Sequence, residues 1–170
     1  QRGYRSITVA GDSAGGGPAL ALTHKLIAKQ QPLPTSLLLF SPWTDLSLSG
    51  GTLSSRKKRD PFINMDMGLD TITAAYLNGE DPTNIYASPL FGEFVGFPPT
   101  LIHVGSEEVL YDDSHRLAEK LAATQVPYTF KEWHGLFHFF QGLCASWLAI
   151  PEGKESLREA AEFAQQYTPR

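Results

Sequence analysis

Apolar positions along this chain fall into two patterns, short continuous runs and longer stretches at helical spacing, and the two alternate. Residues 7–10, 37–40 and 100–104 are runs of the kind found in strands buried on both faces of a parallel sheet. Residues 128–133 instead alternate aromatic and polar side chains, which predicts a strand nearer the sheet edge. From Pro18 onward, Ala19, Leu22, Leu26 and Ile27 recur at helical spacing. Gln30-Gln31-Pro32 ends that helix, because proline disfavours helical geometry in the residue before it. Asp66 is expected to cap a helix through Tyr76 and Leu77 that Asn78-Gly79 stops. Asp112 or Asp113 is expected to cap another, carrying Leu117, Ala118, Leu121 and Ala122 on one face. Further helical regions are expected over 139–147 and, after Pro151, from about Ser156 to Tyr167. Residues 47–59 and 81–99 read as connecting loops. Strand and helix alternate with no internal repeat, which predicts an α/β fold with a parallel sheet flanked by helices.

Composition narrows this picture only in places. A length of 170 residues suggests one domain, and 42% hydrophobic against 19% charged residues is globular rather than disordered composition. A net charge of −4 argues against a nucleic-acid binder, which would normally present a basic surface. The basic run Arg56-Lys57-Lys58-Arg59 reads as a solvated loop. The single cysteine, Cys144, excludes an internal disulfide framework and fits a reducing compartment. Its apolar neighbours favour a buried structural thiol. No apolar stretch approaches the roughly 18 residues of a membrane span, and the N-terminus lacks a charged-then-apolar leader, so a cytoplasmic chain is expected. Residues 1–5 are polar and begin without methionine, which suggests a chain cut from something longer.

The candidate chemistry starts at Gly11-Asp12-Ser13-Ala14-Gly15, a G-x-S-x-G between a predicted strand and a predicted helix. Such a turn holds its serine in a strained backbone conformation with the hydroxyl exposed, and the flanking glycines avoid clashes. Ser13 is therefore the candidate nucleophile, with a purely structural turn as the alternative. A phosphate cradle fits less well, since the G-x-x-x-x-G-K-[ST] spacing is missing and no lysine occurs before Lys25. A serine nucleophile needs a base and an acid that orients it. Of the five histidines, His24, His103 and His115 fall within helices or a strand, whereas His134 and His138 lie in the loop after the last strand. Their i, i+4 spacing lacks the intervening glutamate of a zinc pair, and Gly135 disfavours a helix there, so no metal is expected. For the acid, the strand ending at Val104-Gly105 leads into Glu107, Glu108, Asp112 and Asp113. Asp45, after the preceding strand, is the rival, and helix capping accounts for Asp112 and Asp113 without chemistry.

Together with Ser41-Pro42-Trp43-Thr44-Asp45, Asp81-Pro82, Ala87-Ser88-Pro89-Leu90, Pro98-Pro99-Thr100-Leu101-Ile102 and the segments around Glu108 and His138, the elbow resembles the hormone-sensitive-lipase-type esterases of the α/β-hydrolase fold. The likeness extends over nearly the whole chain. It implies Ser13 as nucleophile and Glu108 as acid, in the pattern acid-x-Leu-x-Asp-Asp, where many members carry aspartate. It implies His138 as base, because the family pattern places the histidine before an apolar pair and Gln141; His134 stands second. The Ala14 N–H, following the nucleophile, matches one oxyanion donor. Trp43 and Leu110 are expected in the substrate pocket, and residues 47–80 in a cap or acyl pocket. The family's His-Gly-Gly motif and the first half of its sheet are not in this sequence. The resemblance therefore implies a C-terminal half, with residues 1–170 a partial catalytic domain whose upstream half would be a second chain or a neighbouring copy. The implied activity is cofactor-free hydrolysis of small, short-acyl esters through an acyl-enzyme, by a chain with no membrane span. A small-ligand binder or an inert fragment of the same fold is the other class, and retention of serine, acid and histidine together favours the enzyme.

Overall fold

The apolar runs lie side by side as strands, because only sheet neighbours and covering helices can remove both of their faces from water. The computed structural model describes residues 6–63, 68–145 and 150–169. Strands β1 (Thr8–Asp12), β2 (Ser36–Phe40), β3 (Thr100–Gly105) and β4 (Tyr128–Trp133) form one parallel sheet in that order. Ala10, Leu38, Leu101 and Thr129 stand in register across it. β3 is buried at every position, whereas β4 is largely exposed, as its alternating sequence and edge position require.

Helices cover both faces. Leu37, Leu39 and Ile102 point to one side, where Ala19 and Leu20 of α1 (Gly16–Ala28) and Leu117 and Leu121 of α4 (Tyr111–Ala122) pack with Phe94 and Phe97. Phe40 and Leu101, one position out of phase, point to the other side and meet Ala160 and Phe163 of α5 (Pro151–Gln166). Two shorter helices, α2 (Thr52–Ser55) and α3 (Leu69–Leu77), lie in the long connection between β2 and β3. No helix among the described residues is long and apolar enough to cross a membrane.

Several expectations shift. β1 runs on to Asp12 because Gly11 and Asp12 pair with Leu39 and Phe40. Asp66 lies outside the described residues; α3 starts at Leu69, behind Gly68 at φ +74°, and stops at Asn78 at φ +47°. α5 begins at Pro151, five residues before Ser156, since a proline fits a first helical position whose N–H has no partner anyway. Within 139–147, Phe140–Ala145 forms 3₁₀ turns and residues 146–149 lie outside the described set. Cys144 is half-buried rather than buried, and a Cβ at Gly153 of α5 would stand 2.6 Å from its Sγ. Arg56 is not merely solvated. Its guanidinium donates to the Ser106 carbonyl and lies 4.0 Å from the centre of the Tyr111 ring, whose electron-rich face attracts the cation.

Among the described residues β1 pairs only with β2, and Ile7 beside it is 61% exposed. An apolar strand edge with free N–H and C=O groups is a template for association. The isolated 170-residue chain is therefore expected to elute from size-exclusion chromatography as assemblies larger than a monomer, and a monodisperse monomer would contradict this.

Candidate active site

β1 ends in the 3₁₀ turn Ser13–Gly15, and α1 follows without a break. The reversal is so tight that a Cβ at Gly11 would stand 2.4 Å from the Gly15 carbonyl oxygen, so only glycine fits. Ser13 itself sits at φ +53°, left-handed backbone that a residue with a Cβ adopts only when its surroundings impose it. Part of that constraint is a 2.8 Å hydrogen bond from the Trp43 N–H to the Ser13 carbonyl, which ties the elbow to the loop after β2. Ser13 is partly exposed and Ala14 exposed. The Ala14 N–H lies in the first turn, where backbone donors have no intrahelical acceptor.

Glu108 and His138 come together because one loop is laid over another. After β4, Gly135 at φ +73° turns the chain back, its N–H donating to Ser106 Oγ at 2.8 Å. The Leu136 carbonyl then accepts from the Glu107 N–H at 2.9 Å, directly above Gly105, where a Cβ would approach that oxygen to 2.3 Å. His138 is thereby set beside Glu108, with Nδ1 2.9 Å from Oε2. The other carboxylate oxygen, Oε1, accepts from Ser41 Oγ and the Gly105 N–H, both at 2.6 Å. A carboxylate only accepts, so Nδ1 carries a proton, and in the neutral imidazole Nε2 is the nitrogen left to act as base.

Glu108 is fully buried and His138 is 3% exposed. Burial alone would lower the His138 pKa. The hydrogen bond and charge of Glu108, with the charges of Asp12 and Asp60, outweigh it and leave the pKa above the ordinary 6.5. Asp12 is the residue before Ser13, so the same electrostatic field reaches the elbow. Burial raises the Asp12 pKa, partly offset by His138 and reinforced by Glu108. Among the described residues no hydrogen bond of the Ser13 hydroxyl joins it to His138, and hydrogen bonds of catalytic groups often form only around substrate.

The other sequence candidates lie elsewhere. His134 is exposed. Asp45 is 1% exposed and staples its own loop, accepting from Ser47, Ser49 and, at 2.9 Å, Arg116 Nη2. Burial opposes its charge, but those donors outweigh it and hold the carboxyl below its usual range. Asp112 and Asp113 do not cap α4; the N-cap position is Leu110, without a side-chain cap. Being inside the first turn, their carboxylates reach sideways. Asp112 accepts from the Thr52 N–H at 3.0 Å, and Asp113 from the Thr44 and Asp45 N–H groups at 2.7 and 2.9 Å. This pins the loop that carries Trp43.

Trp43 and Ala14 line a pocket of about 130 Å³ with Leu46, Ile72, Tyr76 and Tyr86. Leu110 is 1% exposed and packs behind Trp43, not on the pocket wall. From the 47–80 segment, α3 contributes Ile72, Thr73 and Tyr76 to that wall. Two polar residues around the Glu108–His138 pair carry no local sequence signal. Ser41, bonded to Glu108, reads in the sequence only as part of a motif. Asp60 is 3% exposed, with Oδ1 accepting the Phe62 N–H at 2.9 Å and Oδ2 without a partner among the described residues. Its turn leans on the histidine loop through the stacked rings of Phe62 and Phe137, 5.4 Å apart. Neither could be read from local spacing, because each acts through a segment distant in sequence. Among the described residues no group of three or more His, Cys, Asp or Glu side chains could hold a metal ion.

Comparison with known proteins identifies the fold. A family model described as alpha/beta hydrolase fold matches residues 3–142. An acetyl-hydrolase of Streptomyces hygroscopicus is 38% identical over 95% of the chain and 53% of its own length. An esterase of Acinetobacter venetianus is 39% identical over 94% of the chain and 52% of its own length. Among solved structures, an esterase from the bacterial hormone-sensitive lipase family superposes with a TM-score of 0.90 at 32% identity, over 96% of this chain and 54% of that one. The chain thus spans about half the length of the curated relatives it matches.

Proposed function

Since the chain belongs to the α/β-hydrolase fold family, we propose that it supplies the nucleophile, base and acid of a serine carboxylesterase acting through an acyl-enzyme. The observation that carries this reading is the union of a left-handed Ser13 at the elbow with a buried Glu108–His138 pair presenting a free Nε2 beside the same end of the sheet. Ser13 Oγ attacks the ester carbonyl while His138 Nε2 takes its proton, and Glu108 stabilises the imidazolium. The Ala14 N–H donates to the oxygen on which charge develops. Collapse of the tetrahedral intermediate expels the alcohol, which takes the proton from His138. Water then attacks the acyl-serine carbonyl as His138 Nε2 takes its proton, and collapse of the second tetrahedral intermediate releases the carboxylic acid while Ser13 Oγ takes that proton back. The remaining oxyanion donors, and a partner for the free edge of β1, come in this reading from polypeptide outside these 170 residues, as a second chain or a neighbouring copy.

Acyl preference follows from the pocket beside Ala14. Its volume of about 130 Å³ between Trp43, Ile72, Tyr76 and Tyr86 suits short acyl chains. In an active preparation containing this chain, kcat/KM for p-nitrophenyl acetate and butyrate should exceed that for the decanoate by about tenfold or more, each misplaced methylene costing transition-state binding. Equal or rising kcat/KM toward the decanoate would overturn the short-acyl assignment, and a folded preparation of this chain with the upstream half that hydrolyses none of the three would overturn the enzymatic one.

A further inference from the structure

We propose that Ser41 is a positioning residue for the reaction, holding one oxygen of Glu108 so that the other is presented to His138. The proposal rests on the reading of Ser13, His138 and Glu108 as the catalytic set. Ser41 follows the last residue of β2, and its N–H still donates to the His103 carbonyl of β3 at 2.8 Å, so its backbone is held by the sheet. Its φ is +48°, in the left-handed region where glycine is the default and a side chain brings strain. The position nevertheless carries a hydroxyl, fully buried and 2.6 Å from Glu108 Oε1. Ser41 and Ser13 are thus two serines in left-handed backbone at the ends of adjacent parallel strands, one partly exposed and the other facing the buried acid.

The geometry shows what that hydroxyl adds. Gly105 N–H also donates to Oε1 at 2.6 Å, while His138 Nδ1 is 2.9 Å from Oε2. With Gly105 as its sole anchor, the carboxylate could pivot about a single hydrogen bond and present Oε2 at other angles. Two donors converging on Oε1 from different strand ends fix both the position and the rotation of the group. They also stabilise its negative charge where water is excluded, since a donor to an ionised acceptor is among the stronger hydrogen bonds. A hydroxyl has one proton to donate, and this one goes to Glu108.

Ser41→Gly removes the donor together with its Cβ, and glycine keeps the left-handed conformation without strain, so the backbone path is retained. In an active preparation, Ser41→Gly should lower kcat about tenfold or more while KM stays within about twofold, the pattern of an interaction that matters in the transition state. A double-mutant cycle with Glu108→Gln then tests the route of the effect. If Ser41 acts through the carboxylate, adding Ser41→Gly to Glu108→Gln should cost less than about twofold further. Retention of kcat by Ser41→Gly, or the same loss in both backgrounds, would overturn the proposal. If the glycine variant fails to fold, Ser41→Cys carries the same cycle with a weaker donor, and an undiminished kcat or an additive loss would again overturn it. Failure of the catalytic reading gives a different result: Glu108→Gln alone would be harmless.

Discussion

Ser13→Ala should lower kcat for ester hydrolysis by on the order of 10⁶ while leaving the fold in place, since the nucleophile of a serine hydrolase is replaceable by nothing nearby. The substitution is a clean one on physical grounds. Alanine also has a Cβ, so the strain at φ +53° is the same in both proteins. The Trp43 N–H bonds the residue 13 carbonyl, not the side chain, and that contact is untouched. The lost hydroxyl has no hydrogen-bond partner among the described residues, so no buried group is orphaned. Circular dichroism and thermal melting should therefore match the parent protein closely, and activity alone should vanish. A variant hydrolysing esters within about tenfold of the parent rate would mean that another group attacks the carbonyl.

The second large effect distinguishes the acids and the bases. Glu108→Gln should lower kcat on the order of 10⁴, because an amide cannot hold the imidazole in the right tautomer or stabilise its cation. Asp45→Asn should cost stability rather than turnover, since Asp45 is bonded to Ser47, Ser49 and Arg116 and not to His138. His138→Ala should be far worse than His134→Ala, one side chain being buried against Glu108 and the other exposed. The pH dependence has a definite sign. His138 must be neutral to accept a proton, and its pKa lies above 6.5, so kcat/KM should rise with pH through a value above 6.5. In Glu108→Gln the raising influence of the carboxylate is gone and burial, which lowers the pKa, gains weight, so that limb should move toward lower pH. Reversal of either ranking, or a limb that does not move, would reassign the roles.

What the sequence disclosed about this fold was what short-range pattern can carry. The elbow was legible because strand, glycine-flanked serine and helix are contiguous, and the buried strands because β2 and β3 are apolar at nearly every position. The parallel sheet flanked by helices followed from the alternation of elements, whereas the strand order is set by pairing between distant segments. Other features depend on partners remote in sequence. β1 extends past Ala10 only because β2 is there to pair with it. Asp112 and Asp113 looked like caps because acidic residues at a helix start usually are. Their acceptors are used instead by Thr52, Thr44 and Asp45, some 60 residues away. Arg56 read as part of a solvated basic run, since nothing local announces Ser106 and Tyr111 as its neighbours. The candidate triad was carried by resemblance more than by spacing. Local pattern alone left His134 beside His138 and Asp45 beside Glu108, and the loop crossing at Gly105 and Leu136 is what brings Glu108 and His138 together.

The central claim is that Ser13 becomes covalently acylated. The most direct measurement is to treat an active preparation with a fluorophosphonate, digest it, and map the adduct by mass spectrometry. The account predicts a single stoichiometric adduct on the peptide carrying Gly11-Asp12-Ser13-Ala14-Gly15, with inhibition proportional to labelling and no adduct in Ser13→Ala. An adduct on a different residue that tracks the loss of activity, or labelling that persists in Ser13→Ala, would contradict it.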